Sequence, residues 1–379
     1  MLNAMKIKAA VLERTGGPLV PAELDLAPPQ SGEVLVRLHA SGVCHSDQNA
    51  IDGTAEARCP TVLGHEGAGV VEAVGPGVTS VEVGDHVALS WAPSCGRCAE
   101  CLRELPHLCS TAWPALAAGT MLDGTARLSW DGEPVWHYSF ISSFAEAAVV
   151  PERSCVRIPD DVPFEIAGLV GCAVTTGVGA VWRTAGVRPG ERVAVIGCGG
   201  VGLSAIMAAA AAGAAMVVAV DVSPQKLDQA ERLGATEGVL AAGSPEETAS
   251  AIVEATGGGV DYAVEATGRT DAMLSAFLST RPRGAAVLIG IPREDAVLSL
   301  PALTIPRMER RVLGSLYGSS RPERDFVTIL DLYRKGVLPL DRLVSHRLGL
   351  DEVERGFELL RSGEARRVVL DLAPVGVAA

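Results

Sequence analysis

The chain has 379 residues, of which 48% are hydrophobic and 20% charged; that composition excludes a mostly disordered protein, and the length predicts two domains rather than one. Lys plus Arg number 32 against 45 for Asp plus Glu, a net charge of −13, and no basic cluster offers a nucleic acid or an anionic membrane surface a partner. The apolar run at 201–220 contains Gly202 and is broken at Gly213, so it reads as a buried helix followed by a buried strand, not as a membrane span.

Taken in chain order, residues 5–90 read as all-β. Short runs such as Glu33-Val-Leu-Val-Arg-Leu-His39 alternate in polarity, and Gly75-Pro-Gly77 and Val83-Gly-Asp85 punctuate them. The first residues show no apolar signal core, which predicts a cytoplasmic protein. Nine cysteines, an odd number, fit metal ligation in a reducing compartment better than a disulfide framework. Residues 92–140 form a long irregular excursion that needs its own stabilising device. Within it, Cys95, Cys98, Cys101 and Cys109 lie at spacings of 3, 3 and 8. Four soft thiolates so placed suit tetrahedral zinc in a closed, structural site, and iron–sulfur ligation is the alternative with similar spacing.

From about residue 173 the pattern becomes strand–helix alternation, which predicts a doubly wound parallel sheet. Residues 192–196 read as a buried strand, followed by the turn Gly197-Cys-Gly199-Gly200-Val201-Gly202 and an Ala-rich helix to about Ala212. Residues 216–220 are the next strand, ending at Asp221, and a helix follows over 224–233 with Ser223 as its cap. Strands continue at 260–264 and 285–289. A glycine turn between strand and helix, with an acid at the end of the next strand, is a dinucleotide fingerprint: glycines admit the pyrophosphate and the helix N-terminus favours its charge. Asp221 would bind the ribose hydroxyls and repel a 2′-phosphate, which favours NAD over NADP. Residues 367–372 form a last strand that could rejoin the first domain.

Cys44, His65 and Cys172 lie far apart in sequence, and on spacing alone each reads more readily as a core or structural residue than as a ligand. Yet Gly42-Val-Cys-His-Ser-Asp47, Gly64-His-Glu-Gly-Ala-Gly69, the cysteine cluster, Gly171-Cys-Ala-Val-Thr-Thr-Gly177 and the glycine turn occur in one order. Together with Gly119-Thr-Met-Leu-Asp-Gly-Thr125 and Leu360-Arg-Ser-Gly-Glu364 they resemble the zinc-containing medium-chain alcohol dehydrogenase family over nearly the whole chain. The likeness is to the long-loop branch of liver-type and thiol-adduct formaldehyde dehydrogenases, and the segment at 317–326 especially resembles the actinobacterial mycothiol-dependent type. The resemblance implies an α/β fold: a mostly β GroES-like catalytic domain over 1–172 carrying the zinc lobe, a Rossmann domain over 173–316, and a return to the first domain over 317–379. It implies two zincs per chain, NAD and a homodimer. Cys44, His65 and Cys172 would ligate a catalytic zinc, with Glu66 near the metal and Asp47 orienting the histidine. Ser46 would take the alcohol proton, but Asn49 stands where liver-type enzymes place a relay histidine. His45, Thr176, Val201, Lys226 and Arg367 match cofactor contacts, and Ser46, Ala55, Trp91, Trp113, Tyr138 and Ile291 match the substrate cleft.

That cleft is bulky, largely apolar and uncharged, which predicts an apolar or aromatic alcohol or aldehyde. A mycothiol- or glutathione-adduct formaldehyde dehydrogenase and a conjugate C=C or C=N reductase are the enzymatic alternatives. A non-catalytic NAD-binding protein would be expected to have lost zinc ligands that are all present here.

Overall fold

The computed structural model describes residues 4–241 and 243–373. The chain divides into two units, one built from residues 1–172, 321–334 and 340–379 and the other from 173–320 and 335–339. Residues 374–379, the end of the segment expected to return to the first domain, lie outside the described residues.

The first unit is built on two β systems. Strands Met5–Leu12, Leu19–Leu26, Leu128–Trp130, Glu133–His137 and Thr61–Val62 close a small barrel. The second sheet centres on Glu33–Val43, which pairs with Glu66–Val74, Ala147–Pro151 and the late strand Arg367–Asp371. Because it is covered on every side, Val34, Val36 and Leu38 are fully buried and even Arg37 and His39 are half-buried. The return of 367–371 to this sheet is the physical link between the two ends of the chain.

The all-β reading of 5–90 needs one correction: His45–Asp52 is a helix. It lacks an apolar stripe, and only Asp47 and Ala50 are buried, so no 3.6-residue period announces it. Its ends make it instead. Asp47 reaches back to the Cys44 N–H at 3.1 Å, and Gly53 (φ 80°) closes the C-terminus in the left-handed region. The excursion also carries short helices, Ala99–Leu102 and Trp113–Ala118.

The second unit is a six-stranded, wholly parallel sheet in the order Glu237–Leu240, Met216–Asp221, Arg192–Ile196, Val260–Glu265, Thr280–Leu288, Arg311–Gly314. In chain order that is 3-2-1-4-5-6, the doubly wound arrangement, with its switch point beside Arg192–Ile196. Ala194, Val218, Val220, Ala263 and Phe277 form its core, each 0% exposed. Helix Pro224–Glu231 starts at Ser223 as expected, but the Ser223 side chain makes no capping bond; its N–H is instead taken by Asp221 Oδ1 at 3.0 Å.

The helical stretch Phe164–Ala185 is 22 residues long and, by length and composition alone, apolar enough to cross a membrane. It is 78% buried within the fold, so its apolar surface is spent on core packing. Two π-helical segments, Val170–Val174 and Ala180–Ala185, interrupt it, and the first carries Cys172.

Candidate metal centres and active site

The cysteine cluster converges. Cys95 Sγ lies 4.0 Å from Cys101 Sγ, Cys98 Sγ lies 3.8 Å from Cys109 Sγ, and all four sulfurs are within 4.8 Å of one another. A Zn–S bond of about 2.3 Å gives a tetrahedral edge of about 3.8 Å. An iron–sulfur cluster spreads its cysteines over separate irons, which would hold the sulfurs further apart. The backbone supports thiolates: the N–H groups of Arg97 and Cys98 point at Cys95 Sγ (3.5 and 3.3 Å), and that of Cys95 at Cys109 Sγ (3.3 Å). Hydrogen bonding, first from Thr111, draws the Cys95 thiol down to about 6, whereas burial pushes Cys101 up to about 12.

A second cluster forms from residues spread over 128 positions of sequence. One ligand atom each from Cys44, His65, Glu66 and Cys172 lies within 4.8 Å of the others. Each arrives by a local device. Cys44 precedes helix His45–Asp52, whose Asp47, 0% exposed, accepts from the N–H groups of Cys44 (3.1 Å) and Gly64 (3.0 Å) and meets His65 Nδ1 at 3.0 Å. That contact fixes the ring and leaves Nε2 buried with no hydrogen-bond partner among the described residues. Cys172 is brought close because Gly168 and Gly171 carry no side chain: a Cβ there would lie 2.7 Å from Glu66 O and 2.6 Å from Leu89 O. An orphaned imidazole nitrogen between two thiols is a donor set that fits zinc, with room for one more ligand.

The electrostatics agree. A hydrogen bond from Cys172, assisted by His65, holds the Cys44 thiol well below its ordinary value, and the same bond pushes Cys172 well above. Burial opposes charge on His65, yet Asp47 raises it well above the usual range. Burial pushes the Glu66 carboxyl up to about 7, against the pull of Arg367. Glu66 and Arg367 form a fully buried ion pair, and Gly42 makes it possible, since a Cβ at Gly42 would collide with the Glu66 carboxylate.

Ser46 is half-buried, and its Oγ lies 3.8 Å from Cys44 Sγ. Tyr138, expected only to line the cleft, donates its hydroxyl to Ser46 O at 2.9 Å and packs edge-on to His65 at 5.7 Å. No sequence pattern signals that bond. Trp91 and Trp113 stand edge to face, 6.4 Å apart, in a narrow apolar cleft with Pro93, Pro106 and Leu116. Ala55 is bonded through its N–H to Asn49 O at 2.9 Å. Ile291 belongs to the second unit, where it is 64% exposed.

At the glycine turn, Gly197 has φ 94°, and a Cβ on Gly202 would strike Gly197 O, so only glycine permits the turn. Gly199 caps helix Gly200–Ala211, and a Cβ on Gly199 would meet no atom within 4 Å, leaving open backbone there. Asp221 accepts from Cys198 N at 2.8 Å, which ties the acid to the turn. Gly177 packs against Val201 O, which brings Thr176 and Val201 to the same place. Lys226 is half-buried, and its charge acts on Cys198 of the turn. His45 and Arg367 belong to the first unit.

Comparison with known proteins gives one answer. A family model described as an alcohol dehydrogenase GroES-like domain matches residues 30–160, and one described as a zinc-binding dehydrogenase matches 200–335. An S-(hydroxymethyl)glutathione dehydrogenase of Synechocystis is 38% identical over 97% of this chain and 100% of its own length. An alcohol dehydrogenase zinc-binding domain protein from Burkholderia ambifaria has a TM-score of 0.94 at 35% identity, covering 98% of this chain and 100% of that one. Benzyl alcohol dehydrogenase from Acinetobacter calcoaceticus has 0.92 at 33%, covering 97% and 100%. The chain belongs to the zinc-dependent medium-chain alcohol dehydrogenase family, NAD(P)-linked oxidoreductases of alcohols and aldehydes.

Proposed function

We propose that this enzyme moves a hydride between an apolar or aromatic alcohol, or its aldehyde, and NAD. The observation that carries the reading is His65 Nε2, buried and without a hydrogen-bond partner among the described residues, in a cluster whose ligand atoms, with those of Cys44 and Cys172, lie within 4.8 Å of one another. Cys44, His65 and Cys172 would hold a catalytic zinc, and Cys95, Cys98, Cys101 and Cys109 a structural one. When bound, the catalytic metal supplies a Lewis acid for the substrate oxygen. The chain does the rest. Asp47 holds the tautomer and orientation of His65. Ser46 takes the alcohol proton, and because Asn49 does not titrate, the proton leaves through water. Glu66 lies beside the ligands, paired with the buried Arg367 guanidinium. Asp221 binds the adenosine ribose and disfavours a 2′-phosphate, the turn at 197–202 receives the pyrophosphate, and Lys226, His45, Thr176, Val201 and Arg367 complete the cofactor site. Trp91, Trp113 and Tyr138, with Ala55 and Ile291, select a flat or apolar substrate.

Metal analysis with turnover tests this. Wild type is expected to hold two zincs per chain and to use NAD at least tenfold better than NADP on benzylic alcohols. Cys44→Ser should hold one zinc and lose turnover, while Cys98→Ser should lose the other zinc. Full turnover of Cys44→Ser would sink the assignment.

The likeness to an S-(hydroxymethyl)glutathione dehydrogenase favours a second reading, oxidation of a formaldehyde–thiol adduct. Formaldehyde rates with and without glutathione or mycothiol separate the two: a thiol-dependent rate exceeding that on benzylic alcohols would replace the first.

The free cysteines support a reducing, cytoplasmic setting. The enzyme forms a homodimer through the open edge strand Arg311–Gly314, which ends the nucleotide-binding sheet and exposes Val312.

A further inference from the structure

The carboxyl edge of the nucleotide-binding sheet contains a buried acid with no sequence signature. Glu265 ends strand Val260–Glu265 and is 0% exposed. Its Oε1 accepts three hydrogen bonds from the turn that follows: from Thr267 N at 2.6 Å, Thr267 Oγ1 at 2.5 Å and Gly268 N at 2.9 Å. Its Oε2 is buried with no partner among the described residues. Burial raises the carboxyl above its ordinary value. A buried carboxyl with one oxygen unsatisfied is costly, and it persists where the geometry it enforces outweighs that cost.

The turn it fixes touches both neighbouring loops. A Cβ on Gly197 would lie 2.5 Å from Thr267 Cγ2, so the turn at 267 presses on the glycine turn. A Cβ on Gly268, where φ is 76°, would lie 2.5 Å from Ile291 O, and one on Gly290 would lie 2.8 Å from Glu265 Oε2. The N–H groups of Ile289 and Gly290 both donate to Glu265 O, at 3.0 and 3.1 Å. Three consecutive loops, after Arg192–Ile196, Val260–Glu265 and Thr280–Leu288, are therefore locked around one carboxyl.

The sheet order assigns these loops to one end of the cofactor. Asp221 lies on one side of the glycine turn and the Glu265 loops on the other. With the adenosine ribose at Asp221 and the pyrophosphate at the turn, the nicotinamide half falls on the Glu265 side. We infer that Glu265 is a positioning residue for the nicotinamide half of the dinucleotide, setting the loops at 267–268 and 290–291 that receive it. This rests on the dinucleotide reading above.

Titration of the full-length enzyme with NAD and with ADP separates the possibilities, because ADP occupies only the Asp221 side. Glu265→Ala is expected to weaken NAD at least tenfold and ADP less than twofold, with two zincs retained. Glu265→Gln keeps an acceptor for all three donors without a buried charge, and should bind both within twofold of wild type. Thr267→Val removes one donor but keeps the methyl against Gly197; should Glu265→Ala not fold, it carries the test, with NAD weakened severalfold and ADP unchanged. Unchanged NAD binding, or equal loss of NAD and ADP, in whichever of these variants folds would overturn the proposal. A wild-type chain that binds ADP but not NAD overturns it too; one that binds neither removes the dinucleotide reading itself.

Discussion

Ser46 and Asn49 occupy the same short helix, three residues apart, and only one of them can exchange a proton. If Ser46 begins the relay, Ser46→Ala lowers turnover at least tenfold while metal analysis still finds two zincs, since Ser46 supplies no ligand atom to either cluster; near-wild-type turnover would sink this role. His137 illustrates a different use of a buried imidazole. Its Nε2 accepts from Arg127 N at 2.9 Å, and burial together with the Arg127 guanidinium pushes it down to about 4. Unfolded, it would titrate near its ordinary 6.5, so below that pH the unfolded chain binds a proton that the folded chain refuses. Stability is therefore lost as pH falls from about 6.5 to about 4, by about 3 kcal/mol in all from this one group. His137→Gln, whose side-chain oxygen reaches the Nε2 position, should flatten that part of the curve. Urea unfolding at pH 7 and pH 4.5 checks it, and an unchanged difference between the two would refute the assignment.

The elements that were legible in the sequence are those whose own residues set their geometry. The four cysteines announced a closed metal site because two-residue gaps return the chain to one point, and the glycine turn announced a dinucleotide because it sits between an apolar strand and an Ala-rich helix. Helix His45–Asp52 was not legible, because its stability comes from caps rather than an apolar face. Nor were contacts of long range: Glu66 and Arg367 are 301 residues apart, and only the bare Gly42 between their strands lets them meet. The zinc lobe is held by a similar long-range contact. Arg127, 2% exposed, bonds Glu33 at 2.8 and 2.6 Å and Asp123 at 2.6 Å, tying the excursion to the first strand of the large sheet. Removing the cation strands a buried carboxylate, so Arg127→Met should destabilise by about 3–5 kcal/mol. Arg127→Met combined with Glu33→Leu leaves no buried charge unpaired and should recover much of that loss. Chemical denaturation of the two variants decides the point: a double variant no more stable than the single one would show that the ion pair, not its stranded partner, sets the cost.

At the scale of the whole molecule, the nucleotide-binding sheet ends in two edge strands, Glu237–Leu240 and Arg311–Gly314. Arg311–Gly314 is its last strand, pairing only with Thr280–Leu288 among the described residues. Val312 on it is 40% exposed, as is Ile305, whose carbonyl accepts from Arg310 N just before the strand. An uncovered strand edge rimmed by apolar side chains is a pairing site, and a lone chain that left it open would be prone to aggregate. In the proposed homodimer, two copies related by a two-fold axis satisfy the Arg311–Gly314 edge once, since antiparallel pairing of the same strand closes on itself. A charge at the centre of that seam meets its own symmetry mate, so a single substitution places two like charges in contact. Val312→Asp should therefore convert a dimer of two 39.2 kDa chains into a monomer in sedimentation equilibrium, while Val83→Asp, at another exposed valine (62%) in the first unit, should leave the dimer intact. A Val312→Asp protein that sediments as a dimer would place the interface elsewhere. The proposed zinc ligands all lie in the other unit, so the monomer should keep both metals, and metal content measured across the same sedimentation boundary distinguishes dissociation from unfolding.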